Sequence, residues 1–253
     1  MLFLLEKSEH RKETLEMSKF DNSIQILHLI AGAKEAKGLT VIIDVFRAFS
    51  LECYLYDMGV KEIRPVGTIE EAFALKEAFS DSILVGERHG KKCEGFDYGN
   101  SPSSIRREEA AGKTVIHTTS AGTQGIVNAV GASEIITGSL VNAKAVAEYI
   151  RKRQPQTVSL VCMGNAGVRP AAEDELCAEY IKSLLEGNEL QDFEQRVADL
   201  RYHGGEHFFD EGRQDIYPQE DFRMCIEYNR FPFVIRVDKD EIGYVARKVE
   251  KMR

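Results

Sequence analysis

The chain has 253 residues, 43% of them hydrophobic and 29% charged, which is the composition of a folded globule and not of a disordered segment. Lys and Arg number 33 against 41 Asp and Glu, a net charge of −8, which argues against a general nucleic-acid binder because neutralising phosphates needs a basic face. No apolar run reaches the roughly 18 residues of a membrane-spanning helix. The opening Met1-Leu2-Phe3-Leu4-Leu5 turns charged at Glu6-Lys7, the reverse order of a secretory leader, so a cytoplasmic protein without a membrane partner is expected. The five cysteines are an odd number and include no C-x-x-C pair, so reduced thiols are expected and not a disulfide framework or a zinc site.

Residues 1–20 read as a charged N-terminal extension, helical or disordered, with Met17 as an alternative start. Residues 21–253 read as a single α/β domain, in one body or two lobes. Ile24–Ile30 alternates like a strand, and Leu39–Asp44 is a continuous apolar run ending in an acid, as in a strand buried on both faces. Phe46–Met58 has helical periodicity and stops at Gly59. A strand over Glu62–Val66 leads to a helix from Thr68 to Phe79, with Glu71 at the capping-box position. A strand over Ser82–Gly86 precedes a glycine-rich loop, Glu87–Pro102, too long for a plain connection. Ser101-Pro102 reads as a helix start. Strands over Thr114–His117, Glu134–Thr137 and Val158–Met163 alternate with helices over Gly122–Val130, Asn142–Arg153 and Ala171–Leu185. The tail reads as helices near Phe193–His203 and Pro218–Tyr228 and a strand over Phe233–Val237. This alternation predicts a three-layer α/β/α fold with a largely parallel or mixed sheet.

Ligands of open parallel sheets bind outside the carboxyl ends of the strands. Five expected strand ends carry acids, bases, hydroxyls or glycines, which points to an active site there. Asp44, Glu87, Asp97, Glu173 and Asp174 are oxygen ligands of the kind Mg²⁺ takes. Arg47, Arg88, Lys91 and Lys92 suit an anion. Thr118, Thr119, Gly122 and Thr123 run from a strand into a helix start, where free N–H groups favour an anion. Carboxylates and arginines together suggest a metal-dependent phosphoryl site. Plainer accounts exist for each alone: Asp44 as a helix cap, Glu173-Asp174 as a dipole interaction, Ser101 as a cap. His203-Gly204-Gly205-Glu206-His207 matches an inverted zinc-protease pattern, but its two glycines break the helix that chemistry needs. His117 reads as a structural histidine or, second, a proton shuttle.

Asp44-Val45-Phe46-Arg47-Ala48, the loop Gly86-Glu87-Arg88 through Gly95-Phe96-Asp97-Tyr98-Gly99-Asn100-Ser101-Pro102, Thr118-Thr119 with Gly122-Thr123, and Glu173-Asp174 follow in that order. Together they resemble the 2-phosphosulfolactate phosphatase family over residues 23–237. The resemblance implies a Mg²⁺-dependent phosphatase releasing phosphate from 2-phospho-3-sulfolactate, a step towards coenzyme M. It implies Mg²⁺ on Asp44 with one or more of Glu87, Asp97 and Asp174, and Asp44, Arg47, Arg88 and Thr119 in the chemistry. Lys91, Lys92, Asn100, Ser101, Thr118, Gly122 and Thr123 would contact a small anionic phosphomonoester. Two positions depart from the family pattern: His89 stands where a glycine is expected, and Ser120-Ala121 where an asparagine commonly precedes Gly122. A covalent aspartyl mechanism would want a second Asp two residues after Asp44, where Phe46 stands. A non-catalytic sensor of a phosphorylated metabolite is the reading from another class. The pattern leaves homo-oligomerisation open.

Overall fold

The computed structural model describes residues 22–250, so the expected extension over 1–20 and Met17 lie outside the described residues. Ten strands form one mixed sheet: β1 (Ser23–His28), β2 (Gly38–Ile43), β3 (Glu62–Pro65), β4 (Ser82–Arg88), β5 (Lys91–Lys92), β6 (Thr114–Thr118), β7 (Ala132–Gly138), β8 (Thr157–Cys162), β9 (Val234–Lys239) and β10 (Tyr244–Val249), in the order β1-β8-β2-β7-β9-β10-β3-β6-β4-β5. The strands β1, β8, β2 and β7 pair in parallel, as do β3, β6 and β4. Between these blocks β9 and β10 pair antiparallel with each other and with both neighbours, so the two blocks run in opposite directions.

The central strands carry apolar residues on both faces, and alternate positions enter different cores. Ile42 joins the core of α1 (Leu29–Glu35), α2 (Ala48–Met58), α4 (Arg107–Ala110) and α5 (Gly122–Asn128). Val41 and Ile43 join the opposite core, with α6 (Ala143–Arg153), α7 (Ala172–Glu186), α8 (Phe193–Asp199) and α9 (Gln219–Ile226). Helix α3 (Ile69–Ala78) closes a smaller core over Leu84 and Ile116. Three layers result, as the alternation of elements predicts. Among the described residues no helix is long and apolar enough to cross a membrane.

In a flat sheet, oppositely running blocks would put their carboxyl ends at opposite edges. Neighbouring strands rotate by about 20–25° per step, and five steps separate β2 from β6. With an accumulated turn of roughly 100° the blocks no longer point oppositely, and the residues that follow β2 and β6 and end β4, namely Asp44, Ser120, Ala121 and Glu87, line one cleft.

Several expectations need correction. The strand expected to reach Ile30 ends at His28, where Leu29 takes a left-handed φ of 64° and starts α1. Ser101-Pro102 starts no helix; residues 102–104 form a turn, and α4 begins at Arg107. The long loop contains β5, which folds back on β4. The last strand, β10, was not expected. The Thr68–Glu71 capping box and the left-handed Gly59 cap are present as expected.

Candidate active site

Asp44 follows β2 directly and is buried. Its Oδ1 accepts the Ala48 N–H at 3.1 Å, so it does hold the start of α2. Its other oxygen faces Gly122, where any Cβ would sit 2.9 Å from Oδ2 and 2.9 Å from the Ala48 Cβ. Only glycine lets the turn after β6 come this close. Burial pushes the Asp44 carboxyl up to about 6, and the charge of Glu87 adds to this.

Two further acids come from the first turn of α7. Asp174 is a clamp: Oδ1 accepts the Val45 N–H and Oδ2 the Gly164 N–H, both at 2.8 Å, tying the turns after β2 and β8 together. Burial raises its proton affinity well above the carboxylate range, with Glu173 and Asp44 adding. Glu173 is also buried, yet its Oε2 has no hydrogen-bond partner. Burial pushes its carboxyl up to about 7, and the charges of Asp44 and Glu206 push the same way.

Glu87, at the end of β4, binds backbone on both oxygens. Oε1 accepts the Ser120 N–H at 2.7 Å, and Oε2 the Gly90 N–H at 2.7 Å and the Ser120 hydroxyl at 3.2 Å. It thereby fastens the β4 loop to the turn after β6. That loop holds His89 at φ 54° and Gly90 at φ 80°. His89 is left-handed at the position where the resemblance leads to the expectation of a glycine, a conformation in which His is enriched among non-glycine residues. A Cβ on Gly90 would lie 1.7 Å from the Tyr217 hydroxyl.

These groups line one cavity of about 610 Å³. Asp44, Glu87, Glu173 and Asp174 share its lining with Arg47, His89, Arg169, His207 and Arg213. Arg47 is fixed in the protein. Its guanidinium donates to the Ile216 carbonyl at 2.9 Å, to Asp221 at 2.6 Å and to the Gly90 carbonyl at 3.4 Å, and lies 4.9 Å from the Tyr217 ring centroid. Arg169 and Arg213 are exposed at the rim. Burial and the charges of Arg47 and Arg213 pull His207 down to about 4, so its ring is neutral at pH 7.

The other candidates stand elsewhere. Arg88 donates to the carbonyls of Glu87 and Gly67 and to the Thr118 hydroxyl at 2.9 Å, turned away from the cavity. The Thr119 and Thr123 side chains bond to each other's backbone N–H, at 2.8 and 3.1 Å, and are buried. From this turn Ser120 and Ala121 line the cavity instead. Lys91, Lys92, Asp97 and Ser101 line a second cavity of about 520 Å³, which shares Arg47, Gly90 and Asn100 with the first. Asp97 accepts the Leu84 N–H at 2.7 Å and is apart from the other acids. The glycines of the His203–His207 motif break its helix as expected, leaving turns and a short 3₁₀ segment over Glu206–Phe209.

Arg213, Tyr217 and Asp221 were not singled out by the sequence. His207 appeared only within a motif read as a decoy, and Arg169 only as part of a strand-end turn. Their signal is weak because His207, Arg213 and Tyr217 come from irregular segments of the tail, Asp221 from a short helix there and Arg169 from a loop, all far along the chain from Asp44.

Comparison with known proteins gives the family. Residues 25–240 match the model of the family described as 2-phosphosulpholactate phosphatase. A "Probable 2-phosphosulfolactate phosphatase" of Bacillus subtilis is 33% identical over 215 residues, covering 83% of this chain and 92% of its own. One from Clostridium perfringens is 30% identical over 248 residues, covering 92% and 98%. One from Caldicellulosiruptor saccharolyticus is 43% identical over 149 residues, covering 57% and 61%. The chain therefore belongs to the 2-phosphosulpholactate phosphatase family, whose members are phosphoric monoester hydrolases.

Proposed function

We propose that this protein removes phosphate from 2-phospho-3-sulfolactate, or from a small phosphomonoester with similar extra anionic groups, with Mg²⁺ at the buried carboxylates of the cavity. The carrying observation is that buried carboxylates and arginines line one cavity. The residues fit a hard cation: every donor is a carboxylate oxygen, and the buried Glu173 Oε2 lacks a partner. Glu173, whose Oε2 has no partner, and Asp44, buried beside it at the end of β2, are the groups that would hold it, while Asp174 and Glu87 use both oxygens to fasten the surrounding turns. When bound, Mg²⁺ supplies Lewis-acid polarisation of a phosphoryl oxygen.

The chain's own groups do the rest. Arg47 presents a fixed positive charge to the phosphoryl group, and its anchoring to Asp221 and Ile216 means that it need not reorganise during reaction. Neutral His207 accepts or donates a hydrogen bond without adding charge. Arg169 and Arg213 at the rim take the sulfonate and carboxylate, where bidentate pairing fixes orientation. Hydrolysis would yield sulfolactate and phosphate, the step towards coenzyme M that the family resemblance implies. The test is phosphate release by EDTA-treated protein, with and without added Mg²⁺. Activity should vanish with chelation and return with Mg²⁺; full activity in protein shown metal-free by elemental analysis would refute the reading.

A further inference from the structure

Behind Asn100 lies a chain of polar side chains with no role in the reading above. Glu52, on α2, and His117, on β6, are both fully buried. His117 Nδ1 is 2.9 Å from Glu52 Oε1, and Nε2 is 3.2 Å from Asn100 Oδ1. Asn100 lines both cavities. The second carboxylate oxygen, Glu52 Oε2, is buried without a hydrogen-bond partner.

Packing does not account for this pair. Around it the core is apolar, with Leu51, Leu55 and Val115 among its members. Two buried charges can be replaced by hydrophobic side chains of similar volume at no loss of stability, and often with a gain. Proton shuttling does not account for it either, because His117 meets the cavity only through the Asn100 amide, which is a poor proton relay.

Hydrogen-bond inventory gives a third role. A carboxylate only accepts, so Nδ1 is assigned as a donor to Glu52. Asn100 Oδ1 is the atom that faces Nε2, and it accepts from that nitrogen when both ring nitrogens carry hydrogen, which leaves the amide NH₂ for the cavity. The terminal torsion of an asparagine is soft. Without its anchor the amide can turn its carbonyl toward the cavity, where an anion would be repelled.

We propose that Glu52 and His117 are positioning residues that hold Asn100 so that its NH₂ faces an oxyanion in the cavity. This rests on the anion-binding reading of that cavity. The phosphoryl and sulfonate oxygens share the chemistry recognised: acceptors that gain from a fixed neutral donor beside Arg47.

The experiment is a mutant cycle read on the affinity for inorganic phosphate, by calorimetric titration of the full chain with Mg²⁺ present. Glu52→Leu with His117→Leu replaces the whole buried polar pair with apolar side chains, so the melting temperature should hold or rise. Phosphate binding should weaken about tenfold, the scale of one lost hydrogen bond. Asn100→Ala should weaken it by a similar factor, and the triple variant should lose nothing further, because residues acting through one contact are not additive. Should the double variant fail to fold, His117→Gln keeps a donor for Asn100 and should stay within about threefold of the wild type, against about tenfold for His117→Leu. Wild-type affinity in the double variant, equal affinities for His117→Gln and His117→Leu, or losses that multiply in the triple variant would overturn the positioning role. If the wild type binds no phosphate, the anion-site reading itself falls, and this inference with it.

Discussion

Arg47 donates to Asp221 across 2.6 Å, and neither side chain reaches solvent, with 3% and 0% of its surface exposed. The two residues are 174 positions apart, so this pair fastens α9 to the turn after β2. The other Asp221 oxygen accepts from the Ser101 and Ser103 hydroxyls and the Ser103 N–H. Removing one partner of a buried ion pair leaves an uncompensated charge and costs about 3–5 kcal/mol. Asp221→Ala should lose stability on that scale in urea unfolding and lose activity with it. Asp221→Asn, which keeps some acceptors, should lose less. Unchanged stability in both would mean that the pair does not organise the cavity.

Most strands, β5 and β10 excepted, and the first two capped helix ends were legible because their signals are local. Val41-Ile42-Ile43 must be buried on both faces, Gly59 must cap a helix, and Thr68 with Glu71 must form a capping box. Helix α1 was not legible because its start depends on Leu29 taking a left-handed conformation immediately after a strand. Nor could the sequence show that β9 and β10 reverse the second block, since direction is set by long-range pairing. The acids of the site were legible as strand-end residues. Which of them keep an oxygen for a ligand was not, because that depends on backbone N–H groups such as those of Val45 and Gly164.

Proton linkage gives a test without substrate. Asp44 and Glu173 have folded values of about 6 and about 7, above their ordinary 3.8 and 4.5. Each therefore contributes stability at low pH that is lost as pH rises through its folded value. His207 acts oppositely: its value falls from 6.5 to about 4, so its contribution is lost as pH falls through that window. Between pH 6.5 and 8 the carboxylates alone remain, and metal-free protein should lose stability there. Glu173→Gln should raise the melting temperature of EDTA-treated protein at pH 8, because it removes the cost of ionising a buried carboxyl. A fall in thermal melts at pH 8 would contradict the assignment.

Specificity should follow the rim arginines and not the loop. Arg88 is held by the Glu87 and Gly67 carbonyls and Thr118. Arg88→Ala should change stability more than KM. Arg213→Ala and Arg169→Ala should raise KM for phosphosulfolactate more than for phospholactate, because a site built for a charged group is left unpaired without it. Steady-state kcat/KM for both substrates decides this; equal values in the wild type would refute the sulfonate assignment.

The role of Asp44 is the centre of the account. Asp44→Asn keeps the shape and can still accept from Ala48 N–H, so the cap survives while the charge is lost. With saturating Mg²⁺ and phosphosulfolactate, kcat should fall at least about a hundredfold, close to 2.7 kcal/mol of transition-state stabilisation, while the melting temperature does not fall. Retained activity together with a stability loss of about 1 kcal/mol would show that Asp44 only caps α2, and would contradict the account.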